Sequence, residues 1–144
     1  MSLPVIDLGA ATPVPTPTTR PFWDAAREGR LSVQHCDSCS SYLFYPRLAC
    51  VECGSRRLSW VETSGRATLL SYVIVHMPAP GFEEAAPYTL AIVRLAEGPT
   101  MMTNIVGVEP RPENLVLDMN LEVSFENRGG WVVPVFTPVV EAGR

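Results

Sequence analysis

Every cysteine of the chain falls in one stretch, "HCDSCSSYLFYPRLACVECG", residues 35–54. It contains two Cys-x-x-Cys pairs, Cys36/Cys39 and Cys50/Cys53, with ten residues between them. In each pair a tight turn brings both thiols to one side. Two such knuckles on facing hairpins supply the four ligands that a tetrahedral metal site needs. The intervening "SSYLFYPRLA" is long enough for a strand and its return, and Gly54 stands behind the second knuckle for the turn. The spacing predicts a zinc ribbon holding one structural Zn2+ on Cys36, Cys39, Cys50 and Cys53. Two other readings share parts of this pattern. A rubredoxin-like iron site uses the same four-thiolate geometry. Thioredoxin-like redox chemistry needs a βαβ setting, which neither pair has. With four cysteines present, His35 reads as a neighbour packed on the ribbon. A closed set of four thiolates leaves no open coordination position, so the cluster fastens a segment too small to build its own core.

The flanking sequence divides into distinct textures. Residues 1–19 end in "AATPVPTPTT", a Pro/Thr-rich run that favours extended backbone and reads as a flexible arm. Residues 20–31 hold a short helix, expected over Pro21–Glu28, with Pro21 in its first turn and Gly29 as its stop. Phe22, Trp23 and Ala26 give that helix an apolar side. Residues 32–62 form the ribbon. From residue 63 to 138 the pattern is strands and turns: "RATLLSYVIVHM", then "PYTLAIVRLAEGPTMMTNIVGV" broken at Glu-Gly-Pro, then "NLEVSFENRGGWVVPVF" broken at Asn-Arg-Gly-Gly. A loop with three prolines and a glycine, "VHMPAPGFEEAAPY", separates the first two. Five or so strands without a long helix predict a small OB-type barrel. Residues 139–144 are a tail. The fold class expected is mainly β: a short N-terminal helix, a zinc ribbon, and the barrel.

The usual catalytic constellations are missing. There is no G-x-S-x-G elbow, H-E-x-x-H, G-x-x-x-x-G-K or G-x-G-x-x-G. No cysteine is left over as a nucleophile. His76 ends a predicted strand and reads as a hydrogen-bonded strand-end residue rather than a base. Glu83 and Glu84 read as solvated loop carboxylates. An OB barrel with a ribbon invites a nucleic-acid reading, and Tyr72, Tyr88 and Trp131 could stack on bases. The net charge of -4 and scattered arginines argue against a positive groove, so no nucleic-acid partner is expected. All eleven basic residues are arginine, which fits either genome composition or a need for bidentate contacts. Charged residues make up only 18% of the chain, which favours an apolar surface covered by a partner. No apolar run reaches membrane-span length, and the start has neither a basic region nor a continuous apolar core of a secretory signal. The expected setting is the cytoplasm, where paired cysteines hold metal more often than disulfides.

The order of motifs resembles a family of OB-fold, acyl-CoA-associated proteins with an N-terminal rubredoxin-like zinc ribbon. The resemblance rests on Phe22-Trp23, Gly29-Arg30-Leu31, Cys36/Cys39, Tyr45-Pro46-Arg47 and Cys50/Cys53-Gly54. It continues in Gly65-Arg66-Ala67, in "SYVIVHMPAPGF" and in "PYTLAIVRLAEGP", and so runs from about residue 20 to 138. Two places depart from the pattern. Ser40 follows the first knuckle where the family often has Gly or Arg. Leu117-Asp118-Met119-Asn120-Leu121 stands in place of the usual Ile-Gly-x-x-Val, so Asp118 or Asn120 has to supply the turn.

The resemblance implies an accessory subunit, not an enzyme on its own, that binds or passes on acyl-CoA thioesters. Its expected partner is a thiolase-like condensing enzyme, a thiolase-like aldolase or a MaoC-type hydratase. The competing class is a self-sufficient rubredoxin-like electron carrier with iron on the four cysteines. CoA phosphates need arginine or helix-end N–H groups, and pantetheine needs an apolar slot. The matching segment puts Arg47 beside the ribbon with Phe44, Tyr45 and Pro46 as walls, and Phe22 and Trp23 as the opposite side. The same aromatics would also serve simply to pack helix, ribbon and barrel together.

Overall fold

The computed structural model describes residues 5–6, 13–78 and 85–139. Glu83 and Glu84, most of the N-terminal arm and the tail from residue 140 lie outside the described residues.

The helix α1 spans Arg20–Arg27, one residue earlier than the expected Pro21–Glu28. Thr19 is its N-cap, but its hydroxyl is engaged upstream, accepting the Thr16 N–H at 2.8 Å. The C-terminus closes as the Gly29 position predicts. The Gly29 N–H donates to the Ala26 carbonyl at 2.9 Å and the Arg30 N–H to that of Ala25 at 2.9 Å, with Gly29 at φ +79. This is the Schellman arrangement, and glycine adopts that backbone without a Cβ penalty. Phe22, Ala25 and Ala26 are buried, at the i, i+3, i+4 spacing of one helix face.

Three strands, β2 (Ser32–Cys36), β3 (Tyr42–Leu43) and β4 (Leu58–Glu62), form a small antiparallel sheet in the order β3-β2-β4. Five more close a barrel: β5 (Arg66–Val75), β6 (Tyr88–Leu95), β7 (Thr100–Ile105), β8 (Asn120–Arg128) and β9 (Trp131–Pro138). The order runs β8-β5-β6-β7-β9, and β9 returns to β8. A bulge between Leu69 and Ser71 lets β5 bend from β8 onto β6. Closure between β7 and β9 is parallel and made at one register point, Ile105 opposite Phe136. A 3-10 turn, Pro112–Asn114, lies between β7 and β8. The remaining strand, β1 (Val5–Ile6), lies parallel to Asn127 and Arg128 on the edge of β8.

Alternation along β6 and β7 sends Thr89, Ala91, Val93, Leu95, Met101, Thr103 and Ile105 inward. Phe136, Leu69 and Leu121 complete the barrel core, and Phe22, Leu31 and Val33 join it from the helix and ribbon. One core therefore runs under both parts. The turn expected at Asn-Arg-Gly-Gly is tighter than its composition suggests. Asn127 and Arg128 stay paired in β8, and only Gly129 and Gly130, at φ +58 and +90, make the two-residue hairpin loop. Asp118 takes φ +68 and so fills the turn where the resembling family has glycine.

Gly65 joins ribbon to barrel at φ +80, and its carbonyl accepts the Val123 N–H at 2.7 Å. A Cβ there would lie 2.7 Å from Cγ1 of Val123. Gly65→Ala is expected to destabilise the fold by about 1–2 kcal/mol through the left-handed backbone and by about 1–3 more through overpacking. A denaturant titration with an unchanged m-value checks this. An unshifted midpoint would show that the junction is slacker than its contacts indicate.

Candidate functional site

The two knuckles repeat one hydrogen-bond pattern. The Ser40 N–H reaches back to the Cys36 carbonyl and the Gly54 N–H to the Cys50 carbonyl, each at 2.8 Å. The Cys36 N–H in turn donates to the Ser41 carbonyl and the Cys50 N–H to that of Ser55, again at 2.8 Å. The fourth residue after each leading cysteine takes positive φ: Gly54 at +77 and Ser40 at +65. Ser40 thus adopts the backbone that glycine makes easy. Cys36 and Cys50 are buried, while Cys39 and Cys53 face outward.

All four sulfurs lie within 4.8 Å of one another, with Cys36–Cys53 and Cys39–Cys50 each at 3.6 Å. A tetrahedron with bonds of 2.3 Å has ligands about 3.8 Å apart, so the donor set fits a tetrahedral thiophilic ion. Four sulfurs this close cannot all carry charge without a cation between them. Hydrogen bonds from the Ser41 hydroxyl and backbone hold the Cys39 thiol down at about 6. The Ser55 backbone lowers Cys53, but neighbouring Cys36 and Cys39, with burial, push its thiol up to about 12. His35 stands outside this group. Its ring lies 4.9 Å from that of Tyr42, and its Nδ1 lies 3.3 Å from Oδ1 of Asp37. The Ser59 hydroxyl and then His35 hold the Asp37 carboxyl below its usual range.

A cleft of about 690 Å³ opens where α1, the ribbon and the barrel meet. Phe22, Trp23, Phe44 and Tyr45 form one wall, and Ile92 and Met102, paired across β6 and β7, belong to the other. Ring centroids are 4.8 Å apart for Phe22–Trp23, 5.5 Å for Phe22–Phe44 and 5.3 Å for Phe44–Tyr45. Trp131 backs Trp23 at 6.1 Å, and the Arg27 guanidinium sits 5.3 Å from the Trp131 ring. Four of the six residues expected to meet CoA therefore share one cavity. Pro46 is buried beside it, and Arg47 lies on a separate groove of about 500 Å³ with Arg94, Glu52 and Glu97. That groove touches the cleft at Phe44 and Thr100. The Arg47 backbone is pinned by the buried Gln34, whose amide donates to its carbonyl at 2.8 Å and accepts its N–H at 2.7 Å.

Among the described residues, the charged group on the cleft itself is Arg128, expected from the sequence to lie in a turn. The signal available was strand alternation, which puts Glu126 and Arg128 on one face of β8. His76 follows the end of β5 and is exposed. Among the described residues, no helix is long and apolar enough to cross a membrane.

A zinc-ribbon and OB-barrel pair with a cleft at their junction defines the class. The chain belongs to the ChsH2 family. Residues 23–59 match the family model of the ChsH2 rubredoxin-like zinc ribbon domain, and residues 60–126 that of the ChsH2 C-terminal OB-fold domain. It is 36% identical over 121 residues to a probable enoyl-CoA hydratase alpha subunit of Thermomonospora curvata, covering 83% of this chain and 37% of that protein. It is 38% identical over 90 residues to a DUF35 domain-containing scaffold protein of Pyrococcus furiosus, covering 62% of this chain and 65% of that one. The chain thus spans about a third and just under two thirds of those relatives' lengths. Among solved structures, it is similar to a chain of the Ltp2-ChsH2(DUF35) aldolase, with a TM-score of 0.78 and 32% identity. The match covers 90% of this chain and 100% of that one.

Trp23 Nε1 is buried with no hydrogen-bond partner among the described residues. Trp23→Phe should therefore change stability by less than about 1 kcal/mol, since it removes an unpaired donor and keeps a ring. Trp23→Ala should cost about 2 kcal/mol or more. Thermal melts of both variants check the contrast, and equal losses would mean that the indole N–H contributes.

Proposed function

We propose that the chain is an accessory subunit without chemistry of its own. It holds an acyl-CoA thioester for a partner and stabilises that partner, a thiolase-like condensing enzyme, a thiolase-like aldolase or a MaoC-type hydratase. The observation that carries the reading is its likeness, over the whole of that chain, to a chain of the Ltp2-ChsH2(DUF35) aldolase. The name of the Thermomonospora relative, a hydratase alpha subunit, supports the same class of partner. An apolar outer face supports an interface: Val73, Ile92 and Met102 of neighbouring strands are all exposed.

In this reading Cys36, Cys39, Cys50 and Cys53 hold one Zn2+, which clips the two knuckles together when bound. Phe22, Trp23, Phe44, Tyr45 and Pro46 wall the site of the acyl-pantetheine arm. Arg47, on the adjoining groove, takes the phosphates. The protein works in the cytoplasm, where the thiols stay reduced. Because folding and metal binding are coupled in such a ribbon, Cys36→Ser should drop the metal from one equivalent per chain to near zero and unfold the ribbon. Elemental analysis reads this. A colourless protein with zinc supports the reading, and a red one with ferric iron favours the electron carrier.

The direct test is co-expression with a thiolase-like or MaoC-type enzyme from the same genome, followed by size exclusion. The two should co-elute, and the partner alone should melt earlier, because binding stabilises by mass action. Separate elution at micromolar concentration, with this chain a stable monomer, overturns the assignment.

A further inference from the structure

Arg128 and Glu126 sit two residues apart on β8 and leave the same face of the strand. Arg128 Nε donates to Glu126 Oε1 at 3.3 Å, and Nη2 donates to Asn104 Oδ1 at 2.7 Å. Asn104 is itself oriented, since its Nδ2 donates to the Thr89 carbonyl at 2.9 Å. The Arg128 and Glu126 side chains are only 16% and 12% exposed. Arg128 and Asn104 line both the 690 Å³ cleft and a second cavity of about 330 Å³, whereas Glu126 lines only the second. The guanidinium is thus part of the partition between two cavities, with its counter-ion on one side.

We infer that the cleft binds an apolar ligand through an uncharged carbonyl oxygen, with Arg128 as the donor. A guanidinium has five N–H groups, and Glu126 and Asn104 engage Nε and one nitrogen of the fork. A carbonyl oxygen accepts a further N–H without adding charge. A carboxylate would add a second negative charge to an arginine already neutralised by Glu126. Its desolvation against the apolar walls would have no unpaired cation to offset it. The ligand class is therefore a hydrocarbon body carrying a thioester or a ketone. This rests on the acyl-thioester reading and deepens it, because it assigns the cleft to the acyl end and leaves the phosphates outside.

The test is calorimetric titration of the full chain, with tryptophan fluorescence as a second readout. Three probes are used: the decanoyl thioester of N-acetylcysteamine, 2-undecanone and sodium decanoate. The thioester should bind at least about tenfold more tightly than decanoate, the equivalent of one hydrogen bond. Binding of 2-undecanone at similar strength identifies a ketone as sufficient, and its failure beside a binding thioester assigns the contact to the thioester; both support the inference. Glu126→Gln removes the counter-charge and should erase the preference, raising decanoate affinity about tenfold towards that of the thioester. Arg128→Met with Glu126→Gln leaves no unpaired charge, so the pair can be removed with the fold intact. This double variant should lose about tenfold in thioester affinity without gaining for decanoate. The inference is overturned if decanoate binds the unaltered chain as tightly as the thioester. It is also overturned if no probe binds, or if the double variant binds the thioester undiminished. None of these outcomes affects co-elution with a partner enzyme, so failure here leaves the accessory reading standing on its own test.

Discussion

Four sulfurs that meet within 4.8 Å govern how the N-terminal third of this chain can be built. The ribbon's own packing is slight: Leu43 and the two inner cysteines, with Leu58 against them. So small a cluster cannot offset the conformational entropy of ordering two knuckles and the loop between them. A cation bound by four thiolates can. With the knuckles fixed, β2 is presented in one orientation, and its Val33, with Leu31 just before the strand, reaches the barrel core. The cleft depends on the same chain of contacts. Its aromatic wall is carried by α1 and by residues 44–45, and neither belongs to the barrel it faces.

That division of labour gives the cleft the character of a binding surface. The cleft is lined mostly by hydrocarbon and rings, with Thr100, Thr103, Asn104 and the paired Arg128 among them. Such a surface can hold, orient and desolvate a molecule. Among the described residues that line it, none is a cysteine, serine or histidine. A partner that supplies reacting groups, and gains a shaped apolar wall in return, is the natural complement. The exposed Val73, Ile92 and Met102 lie on the barrel side of the same region.

Much of this was legible in the sequence because it was written in local rules. The cysteine spacing determines the knuckles, Gly29 the helix stop, and the turn residues the order of strands. What stayed hidden depended on neighbours distant in sequence. Arg47 reads as a ligand residue from its motif, yet its backbone answers to Gln34, thirteen residues away. Arg128 reads as part of a glycine-rich turn, because composition there hides that pairing runs to the last residue before Gly129. Asn104 and Glu126 lie on different strands, and only barrel closure brings them to one guanidinium. Strand alternation would have put Glu126 and Arg128 on one face, but not named what they meet.

The hold of Gln34 on Arg47 has a consequence for how such a subunit changes over time. One side-chain amide supplies both hydrogen bonds that a neighbouring strand would otherwise give, so the loop is anchored by its main chain. Nothing in that grip reads the identity of the residue held. The outward side chain at position 47 can be exchanged while the loop keeps its path and the rings at 44 and 45 keep theirs. The chain thus has a socket in which one surface group can be replaced to suit a different ligand or companion, independently of the scaffold beneath it.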